Sequence, residues 1–204
     1  NWRRDLHKIP ELGDEVPLTT KYINDVLSQM GLTVKKYSNS GLSTVIEGKN
    51  LGPTIAFRAD IDALPIKEET GLPFAAKNGM MHACGHDCHV SMLLTAAHIL
   101  NDMKKEFSGT VKLAFQPAEE IAAGAKAMLE DGAAEGVDGA FAIHIWSDVP
   151  AGHIFCPNGP IMAAVDHFEI EVTGQGCHGA QPDLGIDALV AAAEVVRDLQ
   201  TIVS

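Results

Sequence analysis

Eight consecutive residues, His82-Ala83-Cys84-Gly85-His86-Asp87-Cys88-His89, bring together three histidines, two cysteines and a carboxylate. Thiolate, imidazole and carboxylate are the donors that divalent transition metals take up, so the stretch reads as part of a metal centre. Its competing reading is a helix start with a few buried polar residues. Asp60 and Asp62, the pair Glu119-Glu120, and His144 each stand at or just past an apolar run that reads as a strand. In an open α/β sheet the ligand crevice lies beyond the carboxyl ends of the strands, so groups far apart in sequence can converge there.

The glutamate pair suits hydrolysis. Adjacent residues leaving a strand point different ways, so one carboxylate can bind metal while the other reaches a water. A divalent ion lowers the pKa of that water, and a carboxylate within hydrogen-bond reach takes its proton as it attacks a carbonyl. As a structural pair the same glutamates would sit at a helix N-terminus and complement the macrodipole. Asp60 and Asp62 fit better as carboxylates that orient ligand imidazoles than as ligands. His7 and Glu11 are further candidates, although lone His and Glu near a terminus are usually surface groups.

These groups need elements to carry them. Tyr22, Ile23, Val26, Leu27 and Met30 form an apolar stripe that predicts a helix from about Thr19 to Met30, stopped by Gly31. Ser43 to Glu47 and Thr54 to Ala59 read as strands separated by the turn chemistry of Gly48 to Pro53. Val90, Leu93, Leu94, Ala97, Leu100 and Met103 predict a helix from Asp87 to about Lys105, which places the ligand-rich octet on the loop entering it. Thr110 to Phe115 predicts a strand, followed by a helix with Ala125, Met128 and Leu129 inward; Gly139 to Ile145 predicts a strand covered on both faces. Beyond Pro150, residues 152–156 and 166–173 read as strands of a different layer. Asp187 caps a closing helix with Ala188, Ala192, Val195, Leu199 and Ile202 on one stripe. The expectation is a catalytic α/β unit over residues 1–162 and the start of a second domain over 163–204.

Composition narrows the class. With 46% apolar and 21% charged residues the chain suits a globular enzyme. A balance of 27 acidic to 15 basic residues, net −12, argues against nucleic acid and anionic membrane surfaces. No apolar run of membrane-spanning length and no signal peptide is expected, which points to the cytoplasm. The four cysteines fit metal binding and free thiols better than disulfides. A metal phosphoesterase fits less well, since no basic or Gly-rich phosphate cradle occurs.

Arg58 to Pro65, the octet, Phe115-Gln116-Pro117-Ala118-Glu119-Glu120, Val165-Asp166-His167-Phe168 and Gly176-Cys177-His178-Gly179-Ala180 occur in order, together with Arg4-Asp5-Leu6-His7 and Pro10-Glu11-Leu12. This series resembles that of the bacterial and plant metallo-amidohydrolases, which include hippurate hydrolases, N-acyl-amino-acid amidohydrolases, N-acetyldiaminopimelate deacetylases and auxin-conjugate hydrolases. The resemblance implies a zinc-exopeptidase-like three-layer α/β fold with an inserted ferredoxin-like α+β lid. It implies two divalent ions, zinc or manganese before cobalt or nickel, held by Cys84, His86, Glu120 and His144. Glu119 would be the general base, with Asp62 and His178 counted among the catalytic groups and His178 carried on the lid. The substrate would be a small N-acyl amino acid, and the lid would make a homodimer. Two departures bear on substrate preference: Asp183 stands where the family usually has a histidine, and Ala188 where it commonly has proline. Family members run to nearly twice this length, with the last metal-ligand histidine expected beyond Ser204. The alternative is therefore a metal-binding or dimerisation piece without turnover.

Overall fold

The computed structural model describes residues 1–202. Its backbone separates into two compact units, Asn1–Ala151 and Gly152 onward. The first is built on five strands, β1 (Val34–Lys36), β2 (Leu42–Glu47), β3 (Asn50–Asp60), β4 (Ser108–Gln116) and β5 (Gly139–Ala142), in the order β1-β2-β4-β3-β5. The helices of this unit are α1 (Trp2–His7), α2 (Pro17–Gln29), α3 (His86–Asp102) and α4 (Gly124–Glu130).

The pairing directions decide where the chemistry sits. β3 lies parallel to β4 on one side and to β5 on the other, so the chain leaves all three at the same end of the sheet. Asp60 closes β3, Gln116 closes β4 opposite it, and Ala142 closes β5. The groups beyond those ends therefore face one crevice. β1 and β2 run antiparallel and extend the other side of the sheet. Three residues with two lysines leave β1 no hydrophobic signature in the sequence, and it is set by pairing alone.

The core follows the expected stripes. Ile23, Val26 and Leu27 of α2 and Val90, Leu93, Leu94 and Ala97 of α3 bury against Leu42, Ile46, Leu113 and Phe115 of the sheet. α2 begins at Pro17, whose fixed φ suits the first helical turn. Its exposed N-terminal amides are met from a distance, since the Glu11 carboxylate accepts from Leu18 N at 3.1 Å and Thr19 N at 2.8 Å.

Several expectations are corrected. β3 starts at Asn50, so the turn shrinks to Gly48-Lys49, and Pro53 falls in the register shift between Asn50 and Thr54, where a proline costs no ladder bond. α4 buries Met128, while Ala125 and Leu129 point outward, because seven residues offer the core little more than one inward position. β5 stops at Ala142 and, among the described residues, is an edge strand, with Phe141 61% exposed and Ile143, just past its end, 63% exposed, not one covered on both faces. An unbroken apolar run has the same appearance whether neighbours cover it or not.

In the second unit, residues 152–156 and 166–173 are not strands among the described residues. The alternation of 166–173 is genuine, but a strand needs a partner for its backbone groups, and no strand lies alongside. What forms is an isolated bridge between Gln175 and Ile186, a 3-10 turn over Pro182–Leu184, α5 (Ala188–Leu199) and a final 3-10 turn. The Asp187 cap is as expected, its side chain accepting from Leu189 N and Val190 N. Among the described residues no helix is long and apolar enough to cross a membrane.

Candidate metal centre

His86 is the hub. It opens α3 and is 1% exposed. The residue before it, Gly85, has φ +96°, which an L side chain rarely adopts, and a Cβ there would lie 2.3 Å from Ile145 Cδ1. Glycine at this point lets the loop after β5 close over the start of α3. His86 Nδ1 donates to the Asp62 carbonyl at 2.8 Å, which fixes the tautomer and leaves Nε2 with its lone pair outward. That lone pair faces oxygens: Asp60 Oδ2 at 3.6 Å, Glu119 Oε2 at 3.8 Å and Glu120 Oε1 at 3.8 Å. His86 Nε2 and Glu120 Oε1 are both buried without a hydrogen-bond partner.

Acceptors converging on acceptors repel unless positive charge stands between them. Without a metal, a proton is the only remedy. Burial opposes a charge on His86, but the bond to Asp62 and the charges of Asp60, Asp62 and Glu120 outweigh it and raise its pKa. Burial raises Glu120 as well, with Glu119 and Asp62 adding to it. The Cys84 thiol is pushed up to about 12 by burial and by the carboxylates of Glu120, Glu119 and Asp60. A divalent cation reverses each of these, since it favours carboxylate, thiolate and neutral imidazole together.

His144 follows β5 and brings its Nε2 to 3.3 Å from Cys84 Sγ, while its Nδ1 bonds the Ile145 carbonyl. The donor atoms of Cys84, His86 and His144 lie within 4.8 Å of one another, as do those of His86, Glu119 and Glu120. The residues present thus fit divalent cations: soft and imidazole donors on one side, carboxylates on the other. A third group meeting the same distance, Asp60 with His86 and His89, is already committed. Asp60 accepts from His89 Nδ1 at 2.6 Å and Arg58 Nη1 at 2.8 Å, and His89 Nε2 accepts from Ile145 N at 3.0 Å. This chain of bonds ties the end of β3 and the first turn of α3 to the loop that holds His144. Burial would raise Asp60, but the His89 bond and the charges of His86 and Arg58 hold it at about 2.

Glu119 and Glu120 sit on a turn between β4 and α4, not at the helix N-terminus. The turn is bracketed by Ala118 and Ala122, both at positive φ (53° and 54°), an uncommon conformation for alanine and one that tends to occur at functional sites. Asp62 is fully buried behind this turn, and its Oδ2 accepts from Glu120 N at 3.2 Å. His178 belongs to the second unit, where it is exposed and its Nδ1 accepts from Ala180 N at 3.1 Å.

Three groups have contacts that the sequence reading did not assign. His89, named only as a member of the octet, carries the link between Asp60 and Ile145. His82 is 4% exposed with neither ring nitrogen partnered, and burial depresses its pKa to about 4. His7, noted only as a candidate, is buried with Nδ1 2.8 Å from Asp87 Oδ2 and Nε2 3.1 Å from Glu68 Oε1. The run of histidines and carboxylates in the octet signals the first two; the third stands in the Arg4-Asp5-Leu6-His7 stretch, which gives no sign of its distant partners.

The profile of peptidase family M20/M25/M40 matches residues 56–202, and the chain belongs to that family. It is 45% identical to the N-acetyl-L-cysteine deacetylase of Bacillus subtilis (strain 168) over 204 residues, covering 99% of this chain and 49% of that protein. It is 42% identical to the N-acyl-L-amino acid amidohydrolase of Geobacillus stearothermophilus over 206 residues, covering 100% of this chain and 56% of the relative. The crystal structure of a dinuclear metal-binding peptidase of the M20 family from Bacillus subtilis superposes with a TM-score of 0.72 at 48% identity, over 74% of this chain and 44% of that one. The zinc-exopeptidase-like fold is thereby shared. The chain spans about half the length of the curated relatives it matches.

Proposed function

We propose that this chain belongs to a metal-dependent amidohydrolase that cleaves the amide bond of small N-acyl amino acids. Cys84, His86, Glu120 and His144 would hold two divalent ions, zinc or manganese. Bound there, the ions would activate a water and polarise the scissile carbonyl. The observation that carries this reading is the lone pair of His86 Nε2 set against three carboxylate oxygens at 3.6–3.8 Å beside the orphaned Glu120 Oε1.

The division of labour between the glutamates follows from exposure. Glu120 has the more buried side chain (21% exposed against 39%) and the orphaned oxygen, which suits a ligand; Glu119 is open to the crevice, which suits a base. Glu119 takes a proton from the attacking water and returns it to the departing amine. Asp62 holds His86 through its carbonyl and the Glu119-Glu120 turn through its carboxylate. His178, on a lid taken to begin at residue 163, would reach the substrate or the oxyanion, with the lid making a homodimer in the cytosol. The deacetylase and amidohydrolase named above support the substrate class.

The test is release of free amino acid from a panel of N-acetyl and N-benzoyl amino acids by metal-loaded protein, beside its Glu119→Gln variant. The variant should keep its metal and lose roughly a hundredfold or more in rate. Equal rates in the two would remove Glu119 from the mechanism, and activity on phosphate esters alone would overturn the substrate class.

A further inference from the structure

Seven consecutive residues near the N-terminus reach the loop that carries Cys84 and His86, the loop after β3 that carries Asp62, and the turn that carries Glu119 and Glu120. The His7 side chain bonds Asp87, the neighbour of His86, at 2.8 Å. The Glu11 carbonyl accepts from Ala63 N, one residue past Asp62, at 2.8 Å, and the Gly13 carbonyl accepts from Ala118 N, one residue before Glu119, at 3.1 Å. The long connection from β3 to α3 is fastened to the same segment, through Glu68 on His7 Nε2 and Asn78 Nδ2 on the Pro10 carbonyl. None of His7, Glu11 and Gly13 offers an atom to the candidate metal-binding groups.

We propose that His7 to Gly13 is a strap that sets the spacing of the three loops, and that Gly13 is its positioning residue. The inference rests on the metal reading given above. Gly13 lies at φ +60°, and Ala118, to which it is bonded, is itself at φ +53°. One left-handed residue thus holds another in place, and the second bears Glu119 and Glu120. A Cβ on Gly13 would meet only Ile121 Cδ1 at an ordinary 3.7 Å, so space is not the constraint. The constraint is the backbone: glycine takes this φ freely, asparagine tolerates it, and alanine or valine resists it. Substitution effects should therefore follow left-handed propensity and not side-chain size.

The experiment is Co²⁺ titration of the full chain, read by the thiolate-to-cobalt absorption, together with amide hydrogen exchange, for Gly13→Val, Gly13→Ala and Gly13→Asn. Gly13→Val should lose protection at the Ala63 and Ala118 amides and bind Co²⁺ about tenfold more weakly or worse, the usual cost of disturbing groups that support ligands. Gly13→Asn should match the unaltered chain in both. Protection at Leu113 and Phe115 reports that the sheet is intact, and if Gly13→Val does not fold, Gly13→Ala decides. Loss of protection at Ala118 with unchanged cobalt affinity would overturn the strap, as would equal losses in Gly13→Asn and Gly13→Val. No cobalt uptake by the unaltered chain would overturn the metal reading, and the strap's purpose with it.

Discussion

Asp60 offers a sharp test of the electrostatics around the site, because its carboxylate is buried, doubly bonded and outside the proposed ligand set. Its pKa is held at about 2 in the fold, against 3.8 for the free side chain. A carboxyl whose folded pKa is depressed stabilises the fold above its unfolded value and loses that stabilisation as pH falls through the folded value. The difference between 3.8 and about 2 corresponds to about 2 kcal/mol at neutral pH, of which roughly half is gone by pH 3. Asp60→Asn removes the titration and weakens the bonds from Arg58 and His89. Urea unfolding of the chelator-treated chain, wild type beside variant, should show the variant about 2 kcal/mol less stable at pH 7 and the gap narrowing by about 1 kcal/mol at pH 3. Taking the difference between the two proteins cancels the other carboxylates that titrate in this range. A gap that stays constant from pH 7 to pH 3 would refute the reasoning, since the Asp60 charge would then have no special partner in the fold.

Other consequences follow from the same contacts. His89→Ala should cost about 1–3 kcal/mol in chemical unfolding, because it leaves Asp60 Oδ1 and Ile145 N unpaired, and it should weaken metal binding through the displaced His144 loop. A loss of stability with unchanged metal affinity would break the link to His144. Phe115→Ala, at a fully buried position in β4, should cost about 3–5 kcal/mol by thermal or urea unfolding. With the Cys84 thiol raised to about 12, metal uptake at pH 7 must expel its proton, so calorimetry in buffers of different ionisation enthalpy should register proton release that Cys84→Ser reduces by the thiol's share. Proton release unchanged in Cys84→Ser would show that the thiol is not a ligand.

How much of this was legible in the sequence depended on distance along the chain. The octet could be read because Cys84 and His86 are neighbours on the loop into α3, and the helix behind them carries its own 3.6-residue stripe. Asp60, Glu119 and His144 could be placed because parallel strands deliver their ends to one edge. What the sequence hid was set by contacts without local pattern. The apolar run around β5 did not reveal that Phe141 lies on an edge strand and Ile143 just past its end, and the alternation of 166–173 did not reveal that no partner strand lies alongside among the described residues. The bonds from His7 to Asp87 and from Gly13 to Ala118 span most of the first unit, and no periodicity encodes them. Likewise the positive φ of Ala118 and Ala122 belongs to a residue type that gives no warning of it.

The central claim is that Cys84, His86, Glu120 and His144 hold the metal while Asp60 and His89 stand behind them. Anomalous diffraction at the zinc edge from zinc-loaded crystals tests it most directly. The account predicts density among Cys84, His86, Glu120 and His144, with Asp60 still bonded to Arg58 and His89. A single peak among Asp60, His86 and His89, with Cys84 and Glu120 uninvolved, would contradict it.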